Sequence, residues 1–180
     1  MKIESHHLYG TRQIECTHTS NRPGNDISLI VIHCISLPAG HFGGDFIENL
    51  FCNNLDTSLH NDFADLAGME VSSHLLIRRD GSVLQFVPFD QSAWHAGESI
   101  FMGRSACNDF SVGIELEGSD QSKYADSQYQ ALATICRLLI SAYDIPEDNI
   151  VGHEDIAPGR KTDPGPLFDW DRFRKMVNRV

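Results

Sequence analysis

Nine histidines stand in a chain of 180 residues, and two of them sit where chemistry is commonly done. His33 lies near the end of a β-branched run, Ile27 to Ile35, and His153 follows the short run Ile150-Val151. Asp163 comes ten residues later, in a loop stiffened by Pro158, Pro164 and Pro166. Strand ends and adjoining loops carry a large share of binding and catalytic groups. Two imidazoles and one carboxylate make a catalytic zinc set, with the fourth position left for water. The three form no local motif, nine histidines permit many triples, and the competing reading of each is a polar residue near the surface. Hydrolysis also wants a general base. Glu115 and Glu117 both sit on the polar side of the alternating run Ser111 to Glu117, so spacing alone leaves either eligible. Lys161, two residues before Asp163, can bring an ammonium to a developing negative charge; a lone lysine on a polar loop is otherwise simply solvated.

The elements that must position these groups are readable in outline. The segment up to Asn25 is polar and expected to be irregular, with a turn at Arg22-Pro23-Gly24-Asn25. Ile27 to Ile35 reads as a buried strand. Asp45 is placed to cap a short helix carrying Phe46, Ile47, Leu50 and Phe51. Asn53 to Ser72 has a weak pattern and is a candidate mobile element. Leu75 to Ile77 and Val83 to Phe89 flank Asp80-Gly81, a hairpin signal. Trp94 to Asn108, rich in Gly, Ser and His, reads as a functional loop. Ser111 to Glu117 reads as a half-buried strand with Val112, Ile114 and Leu116 inward. Ser127 to Tyr143 is the clearest helix: Leu132, Ile135, Cys136, Leu139 and Ile140 recur at helical spacing, with Asp126 or Ser127 as cap. Asp169 is placed to cap a last helix burying Phe173, Met176 and Val177. Mixed strands and helices around one sheet mean an α/β or α+β fold, and the length suits a single domain, 1–180.

Composition narrows the class. Hydrophobic residues make up 41% and charged residues 22%, an ordinary globular balance. The net charge of −11 argues against nucleic acid as a partner, since phosphate binding needs a basic patch. No apolar run has the length of a membrane span, and the first residues, Met1 to His7, lack the apolar stretch of a secretory signal. Five cysteines, odd in number and irregularly spaced, are expected to be reduced thiols of a cytoplasmic protein.

The segment Gly152-His153-Glu154-Asp155-Ile156-Ala157-Pro158-Gly159-Arg160-Lys161-Thr162-Asp163-Pro164-Gly165-Pro166 is far more specific than any single residue. It resembles the end of the zinc N-acetylmuramoyl-L-alanine amidases. Val31-Ile32-His33, Phe42-Gly43-Gly44, Ile77-Arg78-Arg79-Asp80-Gly81, Ala93-Trp94-His95-Ala96-Gly97 and Cys107 to Gly118 agree in order, so the resemblance runs from about Leu8 to Val177. It implies a central mixed sheet flanked by helices, like that of the peptidoglycan recognition proteins. It implies one zinc ion per chain, held by His33, His153 and Asp163, Glu115 rather than Glu117 as the base, and a catalytic role for Lys161. Zinc at such a site lowers the pKa of a water and polarises a carbonyl. The implied substrates are small anhydromuramyl peptides of wall recycling in the cytoplasm. Two rival readings stand beside it: an amidase of intact murein, and a peptidoglycan-binding module without catalysis.

Substrate contacts are less sharply drawn. Cys34 points away from His33 on an alternating strand, so it is a packed thiol or a groove residue where the family often has asparagine. Trp94 suits stacking on a sugar ring or a buried structural place. His74 and His95 suit the wall of the site, and Asn108 matches a peptide-binding position. Glu70 and Ala106 stand where close relatives have arginines that hold acidic groups of the stem peptide, a change that is not conservative; Arg104 is the basic residue that remains nearby.

Overall fold

The run Leu29-Ile30-Val31-Ile32 is apolar at every position, and such a strand needs cover on both faces. The computed structural model describes residues 1–178 and places this run inside a six-stranded sheet, second from one edge. The strands are β1 (Arg12–Gln13), β2 (Leu29–Ile35), β3 (Leu75–Ile77), β4 (Val83–Gln85), β5 (Ser111–Glu117) and β6 (Ile150–Gly152). Their spatial order is β6-β2-β5-β3-β4-β1. The four strands β6, β2, β5 and β3 are mutually parallel, β4 returns antiparallel through the expected hairpin, and β1 runs parallel to β4. Helices α1 (Phe46–Phe51), α2 (Asp126–Tyr143), α3 (His153–Ile156) and α4 (Trp170–Val177) flank it. The architecture is mixed α+β.

Alternation divides the sheet into two unlike faces. Ile30 and Ile32 of β2 and Val112, Ile114 and Leu116 of β5 join Leu132, Ile135, Cys136 and Leu139 of α2 and Phe173 of α4 in the largest apolar cluster. Each such side chain contributes about 1.5–3 kcal/mol by leaving water. On the other face, Leu29 and Val31 pack with Ala96, Cys107, Phe110 and Ile156. A third cluster gathers Ile47, Leu50 and Phe51 of α1 with Phe63, Leu76, Leu84 and Phe86. His33 and Glu115 fall on the face opposite α2, because they share parity with Leu29, Val31 and Ser111.

Several expectations are corrected. β5 is buried along its whole length rather than half-buried, because it is central, with parallel partners on both sides. Glu117 is 2% exposed and not solvated; its carboxylate accepts from Arg78 Nη1 at 2.6 Å, Gly43 N at 2.7 Å and Arg79 N at 3.1 Å. α2 is capped by neither Asp126 nor Ser127: Gln128 Oε1 accepts from the N-cap residue Ala125 N at 3.0 Å, and Ser127 Oγ donates to Arg79 O. The Asp45 side chain makes no cap bond to α1, whereas Asp169 does cap α4, accepting from Arg172 N at 2.9 Å. Met176 is half-buried beside the buried Phe173 and Val177. The segment before Asn25 contains short strands, of which Thr19–Asn21 pairs with Gln91–Ala93. Cys16 and Cys52 are joined in a disulfide, and Cys34, Cys107 and Cys136 are free. Residues 53–72 hold two 3-10 turns, Thr57–Leu59 and Asn61–Leu66, anchored by the fully buried Phe63. No helix among the described residues is long and apolar enough to cross a membrane.

Candidate metal centre and active site

Three chain segments deliver three donor atoms to one point. His33 comes from β2, His153 opens α3 directly after β6, and Asp163 comes from the loop that follows α3. β6 pairs with β2, which sets the two histidines side by side. The loop returns tightly because Gly152 has no side chain: a Cβ there would stand 2.8 Å from Pro164 Cδ. Glu154 N donates to Asp163 O at 3.0 Å, and Tyr124 Oη donates to Pro164 O at 2.6 Å, which fixes the loop from both sides.

His33 Nδ1 lies 2.9 Å from His153 Nδ1, and each nitrogen lies 3.1 Å from Asp163 Oδ2. Both imidazoles are almost fully buried, and burial pushes the His33 imidazolium down to about 4, so that ring is neutral near pH 7. Each ring places its other nitrogen, Nε2, beside an acceptor: His95 Nδ1 at 2.8 Å for His33, and the Ala96 carbonyl at 3.1 Å for His153. With each ring's proton on Nε2, the two Nδ1 lone pairs and a carboxylate oxygen face one another. That arrangement is unfavourable unless a cation lies at its centre. Ligands about 2.0–2.1 Å from a tetrahedral zinc are separated by about 3.3 Å, close to the spacing found here. The donor set fits zinc.

Glu115 shares this face, 8% exposed. Burial, and then the charge of Asp163, raises its carboxyl well above the usual carboxylate range, with Lys161 opposing. Its Oε2 is buried and has no hydrogen-bond partner among the described residues. Asp163, Lys161 and Cys34 line a cavity of about 270 Å³ with Ser36, Asp120 and Thr162. A larger cavity of about 530 Å³, beside Arg12, Phe42, Arg78 and Glu117, contains none of the three donors; the donor geometry, not cavity size, marks the site.

The N-acetylmuramoyl-L-alanine amidase family model matches residues 23–166 of this chain. The chain belongs to that family. The 1,6-anhydro-N-acetylmuramyl-L-alanine amidase AmpD of Escherichia coli is 52% identical over 180 residues, covering 99% of this chain and 98% of the relative. The AmpD of Haemophilus influenzae is 48% identical, over 97% and 96%. A crystal structure of an AmpD superposes with a TM-score of 0.96 at 50% identity, covering 98% of this chain and 99% of that one. The E. coli amidase AmiD, solved with anhydro-N-acetylmuramic acid-L-Ala-D-γ-Glu-L-Lys, superposes with a TM-score of 0.61 at 32% identity, covering 83% of this chain and 57% of that one. The expected mixed sheet flanked by helices is the fold these amidases share.

Within this amidase the residues expected at the substrate are placed differently from the donors. Cys34 is half-buried on the cavity wall, and burial pushes its thiol up to about 12. Trp94 stacks on His18 at 5.6 Å between ring centroids, and its Nε1 donates to Ser20 Oγ at 3.2 Å. Arg104 is paired with Asp26, and its guanidinium lies 3.8 Å from the centre of the Phe110 ring. Asn108 Oδ1 accepts from His95 N at 3.1 Å and Ala96 N at 2.8 Å. Glu70 and Ala106 are both exposed. His74 is fully buried, accepting from Gly113 N and standing 3.0 Å from Gln91 O.

Three residues that the sequence did not single out join the surroundings of the donors. Ser111 Oγ stands 3.0 Å from His95 Nε2. Arg160 Nη2 donates to Ala96 O and Glu98 O, both at 2.6 Å. Arg22, 5% exposed, donates to Phe89 O, Gln91 O and Ser111 O. Ser111 shares strand parity with Glu115, and Arg160 lies within the Gly152 to Pro166 segment, which are the signals the sequence held.

Proposed function

We propose that this amidase hydrolyses the amide between 1,6-anhydro-N-acetylmuramic acid and L-alanine in small cytoplasmic muropeptides, using one zinc held by His33, His153 and Asp163. The observation that carries the reading is the convergence of those three donors beside the unpartnered Glu115 carboxyl oxygen. Near-full-length similarity to the AmpD amidases supports the substrate and compartment.

Zinc bound there lowers the pKa of a water from ~15.7 toward ~7 and polarises a carbonyl. Glu115 takes the proton from the attacking water, and its raised carboxyl range suits it to hold that proton and give it up again. The new carbon–oxygen bond forms at the lactyl carbonyl, and the Lys161 ammonium faces the negative charge that develops on its oxygen. The carbon–nitrogen bond then breaks as Glu115 returns the proton to the alanine nitrogen. Cys34 and the cavity it lines, with Trp94 and Arg104 further out, border the path of the sugar and stem peptide. His95 and Asn108 act from behind the site.

The test is to offer the zinc-loaded protein 1,6-anhydro-N-acetylmuramyl tripeptide and, separately, intact murein sacculi, and to follow products by mass spectrometry. Free anhydro sugar and free tripeptide from the first, with little release from the second, is the expected result. Release from sacculi alone would favour the murein amidase reading. Binding without release from either would favour a silent binding module.

A further inference from the structure

Each ring can present Nδ1 to a metal only if its proton stays on Nε2, so whatever receives the Nε2 protons governs the donor set. Both are received by one dipeptide. The His33 Nε2–H donates to the side chain of His95 at 2.8 Å, and the His153 Nε2–H donates to the carbonyl of the next residue, Ala96, at 3.1 Å. A carbonyl accepts by nature. An imidazole accepts at Nδ1 only if its own proton is on Nε2, and the structure supplies the means. Ser111 Oγ donates to Cys107 O at 2.6 Å, so toward His95 Nε2, 3.0 Å away, it can only accept. The direction of every bond from Cys107 through Ser111 and His95 to His33 follows from that first carbonyl.

The dipeptide is itself held. Asn108 Oδ1 accepts from both of its amides, and Arg160 binds the Ala96 carbonyl from outside. Gly113 is the one residue type that fits beneath the His95 ring, since a Cβ there would meet its Cγ and Cδ2.

We propose that His95-Ala96, clasped by Asn108 and polarised through Ser111, is the element that fixes the tautomer and orientation of both imidazole ligands. Asn108 and Ser111 are then positioning residues for the metal. Asn108 is not a stem-peptide contact. The proposal rests on the zinc reading given above.

Long-range proton–nitrogen NMR of the full-length chain, metal-free and zinc-loaded, reads the tautomers directly. His33, His95 and His153 should all carry the proton on Nε2 once zinc is bound. Zinc affinity by chelator competition should fall about 10- to 100-fold in His95→Leu and in Asn108→Ala. Most of it should return in His95→Gln and Asn108→Asp, which keep an acceptor oxygen. A proton on His95 Nδ1 in the unmutated zinc-loaded chain would overturn the proposal without any variant. So would an Asn108→Ala protein with unchanged zinc affinity and a raised KM, the signature of a peptide contact. Stoichiometric zinc binding by the unmutated chain, scored separately, tells failure of this element apart from failure of the metal reading.

Discussion

Glu115 stands directly opposite His33 in the parallel ladder between β5 and β2. Register partners in a parallel pair share a face, so the carboxyl and the first imidazole leave the sheet side by side, with no loop needed to bring them together. Glu115→Gln keeps the size and removes the basicity. It should retain stoichiometric zinc and lower kcat by about 10²- to 10⁴-fold, measured by steady-state release of the peptide product.

Lys161 lies on an exposed loop, so its removal should leave the fold intact. Lys161→Met should lower kcat by about 10²- to 10³-fold, the cost of losing one donor to a developing oxyanion. Zinc content and the midpoint of urea unfolding should be unchanged. A loss confined to KM would move Lys161 from transition-state stabilisation to ground-state binding.

His74 gives the acid limb of stability its sign. Burial, and then the neighbouring Arg22 cation, lowers its imidazole from 6.5 to about 3. Between those values the unfolded chain binds the proton and the folded chain does not. Stability therefore falls as pH drops below ~6.5, by about 1.4 kcal/mol per pH unit for this one group. His33 and His95, also lowered by burial, act in the same direction. In chelator-treated protein, His74→Asn should be less stable at pH 7 yet show a shallower loss between pH 6 and 4.5 by urea denaturation. Equal slopes would assign the pH dependence to the other histidines.

The Cys16–Cys52 link closes a 36-residue separation and lies in the cluster under α1, where Cys16 packs with Leu50, Phe51 and Phe86. Constraint of the unfolded chain over such a loop is worth about 3–4 kcal/mol. Reduction should lower unfolding free energy by up to that amount and leave turnover at 25 °C unchanged. Under denaturing, non-reducing conditions three thiols, Cys34, Cys107 and Cys136, should alkylate; five would contradict the link.

The convergence of His33, His153 and Asp163 was legible mainly through the resemblance carried by the Gly152 to Pro166 segment, since two histidines at strand ends and an aspartate in a loop form no local motif. Helix α2 was legible from its Leu132 to Ile140 stripe, long enough to establish a period. The difference in surroundings between Glu115 and Glu117 was not legible from spacing. It depends on Arg78, which reaches Glu117 and Glu48 from a neighbouring strand end, a tertiary contact with no local trace. Asn108 and His95 are hard to place from sequence for a related reason: a polar side chain in a long loop can face a ligand or fold back on its own loop, and only the backbone path decides. The short strands before Asn25 are two or three residues long, too short for any periodicity to register.

Metal removal and restoration test the central claim most directly. Protein stripped with a strong chelator should release no peptide from 1,6-anhydro-N-acetylmuramyl tripeptide, one equivalent of zinc should restore turnover, and Asp163→Ala should neither hold the zinc nor recover. Full turnover by the stripped protein, or by Asp163→Ala, would contradict the account.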